Sequence, residues 1–250
     1  MKRYLSLTSI WIFSATIAIL TSTVEVTEAD PTDDFSFSLG GVASETDVYR
    51  VISEERVKEI LSDRLDLFPQ SQVPRLARHL LGICKTYRFD PAFILSLIQV
   101  ESGFRVRVAS PVGALGLMQV MLPTANFVVQ NFHLRTSGFE NFQLQSLQNL
   151  VITPEILTEP FVNITIGVAY LASLRDYYKG LLPYHVVAAY NVGPGRLDEL
   201  LARKSFRPVE TKKYFHAIRR GVPQFRFYQK KCLRSPFQVR NKSSLKPVKV

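Results

Sequence analysis

The chain has 250 residues, 46% hydrophobic and 21% charged, which is enough apolar side chain for a real core and excludes a disordered or fibrous protein. Its 31 Lys and Arg against 21 Asp and Glu leave a net +10, but Arg226, Lys230, Lys231, Arg234, Arg240, Lys242, Lys246 and Lys249 place +8 of that beyond residue 225, with no acid among them. The body is therefore nearly neutral, which argues against a nucleic-acid binder.

In chain order, Lys2 and Arg3 precede an apolar stretch over residues 5–20 and then polar Thr21-Ser22-Thr23. This is the pattern of a secretory signal peptide, short and hydroxylated for a membrane span. Cleavage is expected after Ala29 or after Thr23, and the alternative is an uncleaved signal anchor. Residues 30–46 are acidic, rich in Ser and Thr and aperiodic, which reads as a flexible lead-in. A first helix is predicted to start at Ser53, with Glu54 and Glu55 at the positive end of its dipole and Val57, Ile60, Leu61, Leu65 and Phe68 on one side. The expected organisation is a signal at 1–29, lead-in and helix at 30–70, a catalytic-size domain at 71–225 and a basic tail at 226–250.

Within the domain, Leu76, Ala77, Leu80, Leu81, Cys84 and Tyr87 give residues 73–87 a helical apolar face. Asp90-Pro91 then supplies an N-cap and a first-turn proline. Further helices are predicted over 124–132, over 161–178 with a stop at Gly180, and over 183–190, 196–202 and 208–220, the last ended by Gly221. No period-two segments joined by hairpin turns occur, so the fold class is all-α. Cys84 and Cys232 are too few for a disulfide framework or a metal cluster. Export would permit them to pair, but Cys84 lies on an apolar face and reads as a small buried hydrophobe.

The helix from Pro91 carries Ile94, Leu97 and Ile98 as a stripe, and Glu101 continues it. Desolvation there would raise the carboxyl pKa toward what a general acid needs near neutral pH. The alternative on spacing alone is a helix-end glutamate that turns to solvent or pairs with Arg105 or Arg107. Residues 110–121 follow as a low-charge segment with Pro111, Gly113 and Gly116, suited to tight turns and close backbone approach. Later, Ala189-Tyr190-Asn191 leads into Gly193-Pro194-Gly195.

These pieces, taken together, resemble the soluble lytic transglycosylase family, whose catalytic domain is a small helical domain related to goose-type lysozyme. The matching residues are Glu101-Ser102, Gly113-Ala114-Leu115-Gly116-Leu117-Met118-Gln119-Val120-Met121, Asn163-Ile164 with Gly167 and Tyr170-Leu171, Ala189-Tyr190-Asn191 before Gly193-Pro194-Gly195, and Pro208-Val209-Glu210-Thr211 with Tyr214. The resemblance covers about residues 75–222. It implies a lysozyme-like fold with a saccharide-binding groove and Glu101 as the single catalytic acid. Ser110, Gly116, Gln119 and Met121 would line the groove, Tyr190 would lean on the catalytic carboxylate with Asn191 beside it, and Asn163 would be structural. Leu122, inserted between Met121 and Pro123, departs from the family pattern.

The reaction so implied is cleavage of the MurNAc–GlcNAc bond of peptidoglycan strands with closure to 1,6-anhydroMurNAc, using no metal or cofactor. A hydrolytic muramidase would need a second carboxylate, for which Glu155, Glu159, Asp176 and Asp198 are candidates. A silent wall-binding protein is the other alternative. The expected protein is a monomer of the periplasm or cell envelope whose basic tail attaches to an anionic wall or membrane surface.

Overall fold

A computed structural model describes residues 52–131, 151–179, 181, 183–203 and 209–226. The expected signal, the lead-in up to residue 51, Gly180, Cys232 and the tail beyond residue 226 lie outside these. Nine α-helices dominate the described residues: α1 (Glu54–Arg64), α2 (Val73–Tyr87), α3 (Pro91–Glu101), α4 (Leu122–Asn131), α5 (Pro154–Leu157), α6 (Pro160–Tyr177), α7 (Pro183–Val192), α8 (Pro194–Ala202) and α9 (Val209–Arg226). The fold is all-α apart from one antiparallel hairpin, β1 (Ala114–Leu115) with β2 (Val120–Met121), paired Ala114 to Met121 and Leu115 to Val120. Strands of two residues carry no readable alternation, which is why the sequence pattern does not disclose them.

Helix starts follow the caps. The Ser53 hydroxyl accepts from the Arg56 amide at 3.2 Å, and Asp90 accepts from the Ala92 amide at 2.9 Å with Pro91 in the first turn. Glu159 caps α6, accepting from the Phe161 and Val162 amides. Gly193, at φ +84°, makes the turn between α7 and α8 alone, and Gly195 is already helical.

Helix α3 is the centre of the molecule. Every residue from Ala92 to Ile98 is buried, so the helix is enclosed on all sides by the core. Its most extensive neighbour is α9, and α2 packs against it as well. Helix α6 lies against α2, α4 and α7. Helix α1 packs on α2, with Val57, Ile60 and Leu61 fully buried in the same core. The loop after α1 also reaches that core's edge, where Asp66 accepts the Val106 amide at 2.7 Å. The lead-in helix is thus packed into the domain core rather than preceding it loosely.

Helix α7 runs on to Val192 and α8 starts earlier, at Pro194, but the largest departure from the expected boundaries is at the end of α9. Helix α9 does not stop at Gly221 but runs through it and Pro223 to Arg226. Gly221 serves close packing instead: a Cβ there would lie 2.0 Å from the Ser96 hydroxyl oxygen of α3. The Ser96 hydroxyl donates across the same contact to the Ile218 carbonyl at 2.6 Å.

Candidate active site

Glu101 is the last residue of α3, where the helix hands over to a tightly turned loop. The Ser102 hydroxyl bonds back to the Ile98 carbonyl, and Gly103 and Phe104 both take left-handed φ, near +60° and +66°. Phe104 is nonetheless fully buried, edge-on to Phe225 of α9. A left-handed phenylalanine is tolerated only where packing holds it, so the backbone that carries the chain away from Glu101 is fixed by the core.

Glu101 is half-buried, and the desolvation of its carboxyl pushes the pKa up to about 7. A hydrogen bond donated by the Tyr214 hydroxyl to Glu101 Oε1 works in the opposite direction, toward ionisation, without reversing the effect of burial. Tyr214 is itself buried on the inner face of α9. Neither Arg105 nor Arg107 pairs with Glu101: the Arg105 Nε donates to the Ser102 carbonyl, and no ion pair among the described residues includes Arg107.

The phenol bonded to the carboxyl is therefore Tyr214, whereas sequence reasoning expected Tyr190. The Tyr190 hydroxyl donates to the Met118 carbonyl at 2.8 Å, and its ring lies 5.6 Å from that of Tyr170. Tyr190 is still within electrostatic reach of Glu101, whose charge adds to burial in raising the phenol pKa. Glu101, Tyr190 and Tyr214 thus form one cluster from the ends of α3 and α7 and the first half of α9. The family match named Tyr214 without a role; the signal for one is a phenol on the helix face it shares with buried Phe215 and Ile218.

The loop carrying Ser110, Gly116, Gln119 and Met121 is tied to this cluster through Met118. Asn163, fully buried at the start of α6, accepts the Met118 amide at 2.7 Å and donates to the Leu115 and Leu157 carbonyls. Gly116 needs to be glycine on two counts: its φ is +73°, and a Cβ would lie 2.5 Å from Asn163 Nδ2. Ser110 closes the preceding turn, its hydroxyl accepting the Ala114 amide at 2.9 Å. Gln119 has a left-handed backbone at φ +48° and its amide nitrogen donates to the Gly116 and Val108 carbonyls. Met121 is half-buried in β2, and the inserted Leu122 simply opens α4, so the hairpin register is intact. Asn191 is half-buried near the end of α7. Ser110, Gly116 and Gln119 thus shape the loop's own backbone, and Asn163 secures it to α6.

The other carboxylates considered from sequence are engaged elsewhere. Glu159 caps α6, Asp176 is exposed beside Arg175, and Asp198 accepts from the hydroxyls of Tyr177 and Tyr178. Glu155 is exposed, with its pKa lowered by a hydrogen bond to Thr153. None of the four acts on the Glu101 carboxyl, whose pKa is set by burial and by Tyr214. Cys84 is a free thiol buried in the core, and burial raises its pKa far above the ordinary range.

A site with one half-buried carboxyl of raised pKa, a phenol holding it and a glycine-rich loop nearby can donate and retrieve a proton at a bond laid beside it. The transglycosylase SLT domain family matches residues 82–213 of this chain. The chain is 29% identical over 182 residues to membrane-bound lytic murein transglycosylase C of Sodalis glossinidius, a match covering 69% of this chain and 45% of that protein. It is 33% identical over 116 residues to the soluble lytic murein transglycosylase of Escherichia coli, covering 46% of this chain and 16% of that one. It therefore spans less than half the length of either relative. A solved structure of a lytic transglycosylase from Pseudomonas aeruginosa aligns with a TM-score of 0.43 at 23% identity, over 68% of this chain and 26% of that one.

Proposed function

The chain belongs to the transglycosylase SLT domain family, and from that premise we propose that it is a lytic transglycosylase cleaving the β-1,4 bond between MurNAc and GlcNAc in peptidoglycan strands. The observation that carries this reading is Glu101: a half-buried residue whose carboxyl pKa is raised to about 7, held by a phenol, with none of the four candidate carboxylates acting on it. Tyr214 donates to Oε1, so the carboxyl's own proton belongs on Oε2. Glu101 gives this proton to the glycosidic oxygen as the C1–O bond breaks. The carboxylate so formed then takes the proton of the MurNAc C6 hydroxyl as O6 closes on C1, giving the 1,6-anhydro product and restoring the acid. No water enters, and the substrate's N-acetyl group steadies the cationic centre. Ser110, Gly116, Gln119, Met121, Tyr190 and Asn191 are assigned to the walls of the groove.

The family relationship and the signal-like start support a cell-envelope location, with residues 1–29 as an export signal. Helix α1 belongs to the folded unit in this reading, since Val57, Ile60 and Leu61 share its core. A hydrolytic muramidase would instead leave a reducing MurNAc end, and a silent wall-binding protein would release nothing. Mass analysis of fragments released from purified sacculi separates the three, because the anhydro product is one water lighter than the reducing one. Glu101→Gln should lower the rate by about 10² to 10⁴ or more while glycan still binds. A reducing end together with a second indispensable carboxylate, Glu140 and Glu210 included, would move the protein to the muramidase reading.

A further inference from the structure

Helix α9 has two faces of opposite character. Thr211, Tyr214, Phe215, Ile218, Val222 and Phe225 are buried and face the core. Lys212, Lys213, His216, Arg219 and Arg220 are half or fully exposed and, at helical spacing, fall within an arc of about 120° on the other side. No acid lies between Thr211 and Arg226. The ion pairs among the described residues lie on α1, α2, α6 and α8 and between Arg226 and Asp90; none includes Lys212, Lys213, Arg219 or Arg220. These cations repel one another, and His216 registers it: partial burial first, then the charges of Lys212, Arg219 and Arg220, lower its pKa. Concentrating like charge with no ion pair to it among the described residues is unfavourable in isolation and is relieved by an external anion.

We infer that the outer face of α9 is a docking surface for a bilayer of acidic phospholipids, with Lys212, Lys213, Arg219 and Arg220 against the headgroups. Charge complementarity alone would also suit the carboxylates of a wall. The choice of lipid rests on the residues directly after α9, where Phe227, Tyr228, Leu233 and Phe237 are interleaved with Lys230, Lys231 and Arg234. Aromatic and aliphatic side chains among cations gain from an apolar interior beneath an anionic surface, and a hydrated polymer offers none. No described helix is long and apolar enough to cross a membrane. The inference requires an envelope location but not turnover, so it stands or falls separately from the catalytic reading.

The test uses the full chain, acylated at lysine with a water-soluble reagent and read by mass spectrometry. It is run with vesicles of phosphatidylglycerol and phosphatidylethanolamine, with neutral phosphatidylcholine vesicles, and with purified sacculi. Lys58 and Lys85, remote in sequence on α1 and α2, serve as internal references. Labelling of Lys212 and Lys213 should fall at least fivefold on the acidic vesicles only, and high salt should restore it. Replacing Lys212, Lys213, Arg219 and Arg220 together by Gln should weaken co-sedimentation with acidic vesicles at least tenfold at unchanged melting temperature. Equal labelling of Lys212 and Lys213 with and without acidic vesicles would overturn the inference, whatever the rest of the chain does. Protection by sacculi and not by vesicles would also overturn it, in favour of the wall.

Discussion

At the scale of single residues, the site turns on a carboxyl pulled two ways. Burial raises the Glu101 pKa to about 7 and the Tyr214 hydrogen bond draws it down. Tyr214→Phe removes the downward pull, so the pH at which activity declines on the alkaline side should move upward, accompanied by a lower kcat from the less well-oriented acid. A pH–rate profile checks both; an unmoved limb would mean that Tyr214 only fills space. Stability gives an independent readout. Because the folded-state pKa lies above the ordinary 4.5, the neutral form favours the fold fully below about pH 4.5, and that advantage is lost as pH rises through about 7. At about 1.4 kcal/mol per pKa unit the burden above pH 7 reaches roughly 3 kcal/mol. Glu101→Gln should therefore raise the melting temperature at pH 8 relative to the native chain and change it little at pH 4.5, as thermal denaturation at the two pH values will show.

At the scale of elements, the contact between α3 and α9 is the most extensive among the described elements. Gly221→Ala sets two effects against each other. Alanine is a better helix former by about 1 kcal/mol. Its Cβ, however, would sit 2.0 Å from the Ser96 hydroxyl oxygen and 3.0 Å from Ser96 Cβ, forcing the helices apart or the hydroxyl off the Ile218 carbonyl. Overpacking of this kind costs about 1–3 kcal/mol and a buried hydrogen bond about 1 kcal/mol more, so the substitution should destabilise in chemical denaturation. The same glycine shows where sequence reading reaches its limit. Residues 73–87 coincide with α2 because amphipathic period and flanking turns are local signals; the stripe ending at Glu101 is local too, but spacing alone left its role open and the family resemblance singled it out. Gly221 looks like a stop because a glycine's local meaning is termination, while its function here is set by a serine far away in the chain. The choice between Tyr190 and Tyr214 is of the same kind. Both phenols lie on apolar helix faces, and only the packing of α9 on α3 decides which one reaches residue 101.

At the scale of the whole molecule, the folded unit extends beyond the segment that carries the family motifs. The family match begins at residue 82, yet Val57, Ile60 and Leu61 of α1 are fully buried in the common core. Three such side chains contribute roughly 2 kcal/mol each, against a typical total stability of about 5–15 kcal/mol. Deleting residues 1–69 should therefore lower the melting temperature sharply or leave the protein insoluble, although every motif residue remains. Retention of the native melting temperature in that deletion would return α1 to the status of an appendage.

The hydrogen bond between Glu101 and Tyr214 spans 113 positions of the chain. Synthesis runs from the N-terminus, and domains fold as units once their residues have emerged. A nascent chain therefore carries its acid, its glycine-rich loop and its structural asparagine well before the phenol that completes them. Until α9 arrives, the side of α3 that it covers is open to water, and Glu101 lacks both its dry surroundings and its hydrogen bond. The near-neutral carboxyl is thus acquired late, and any product cut short before α9 carries Glu101 and the glycine-rich loop without a primed acid.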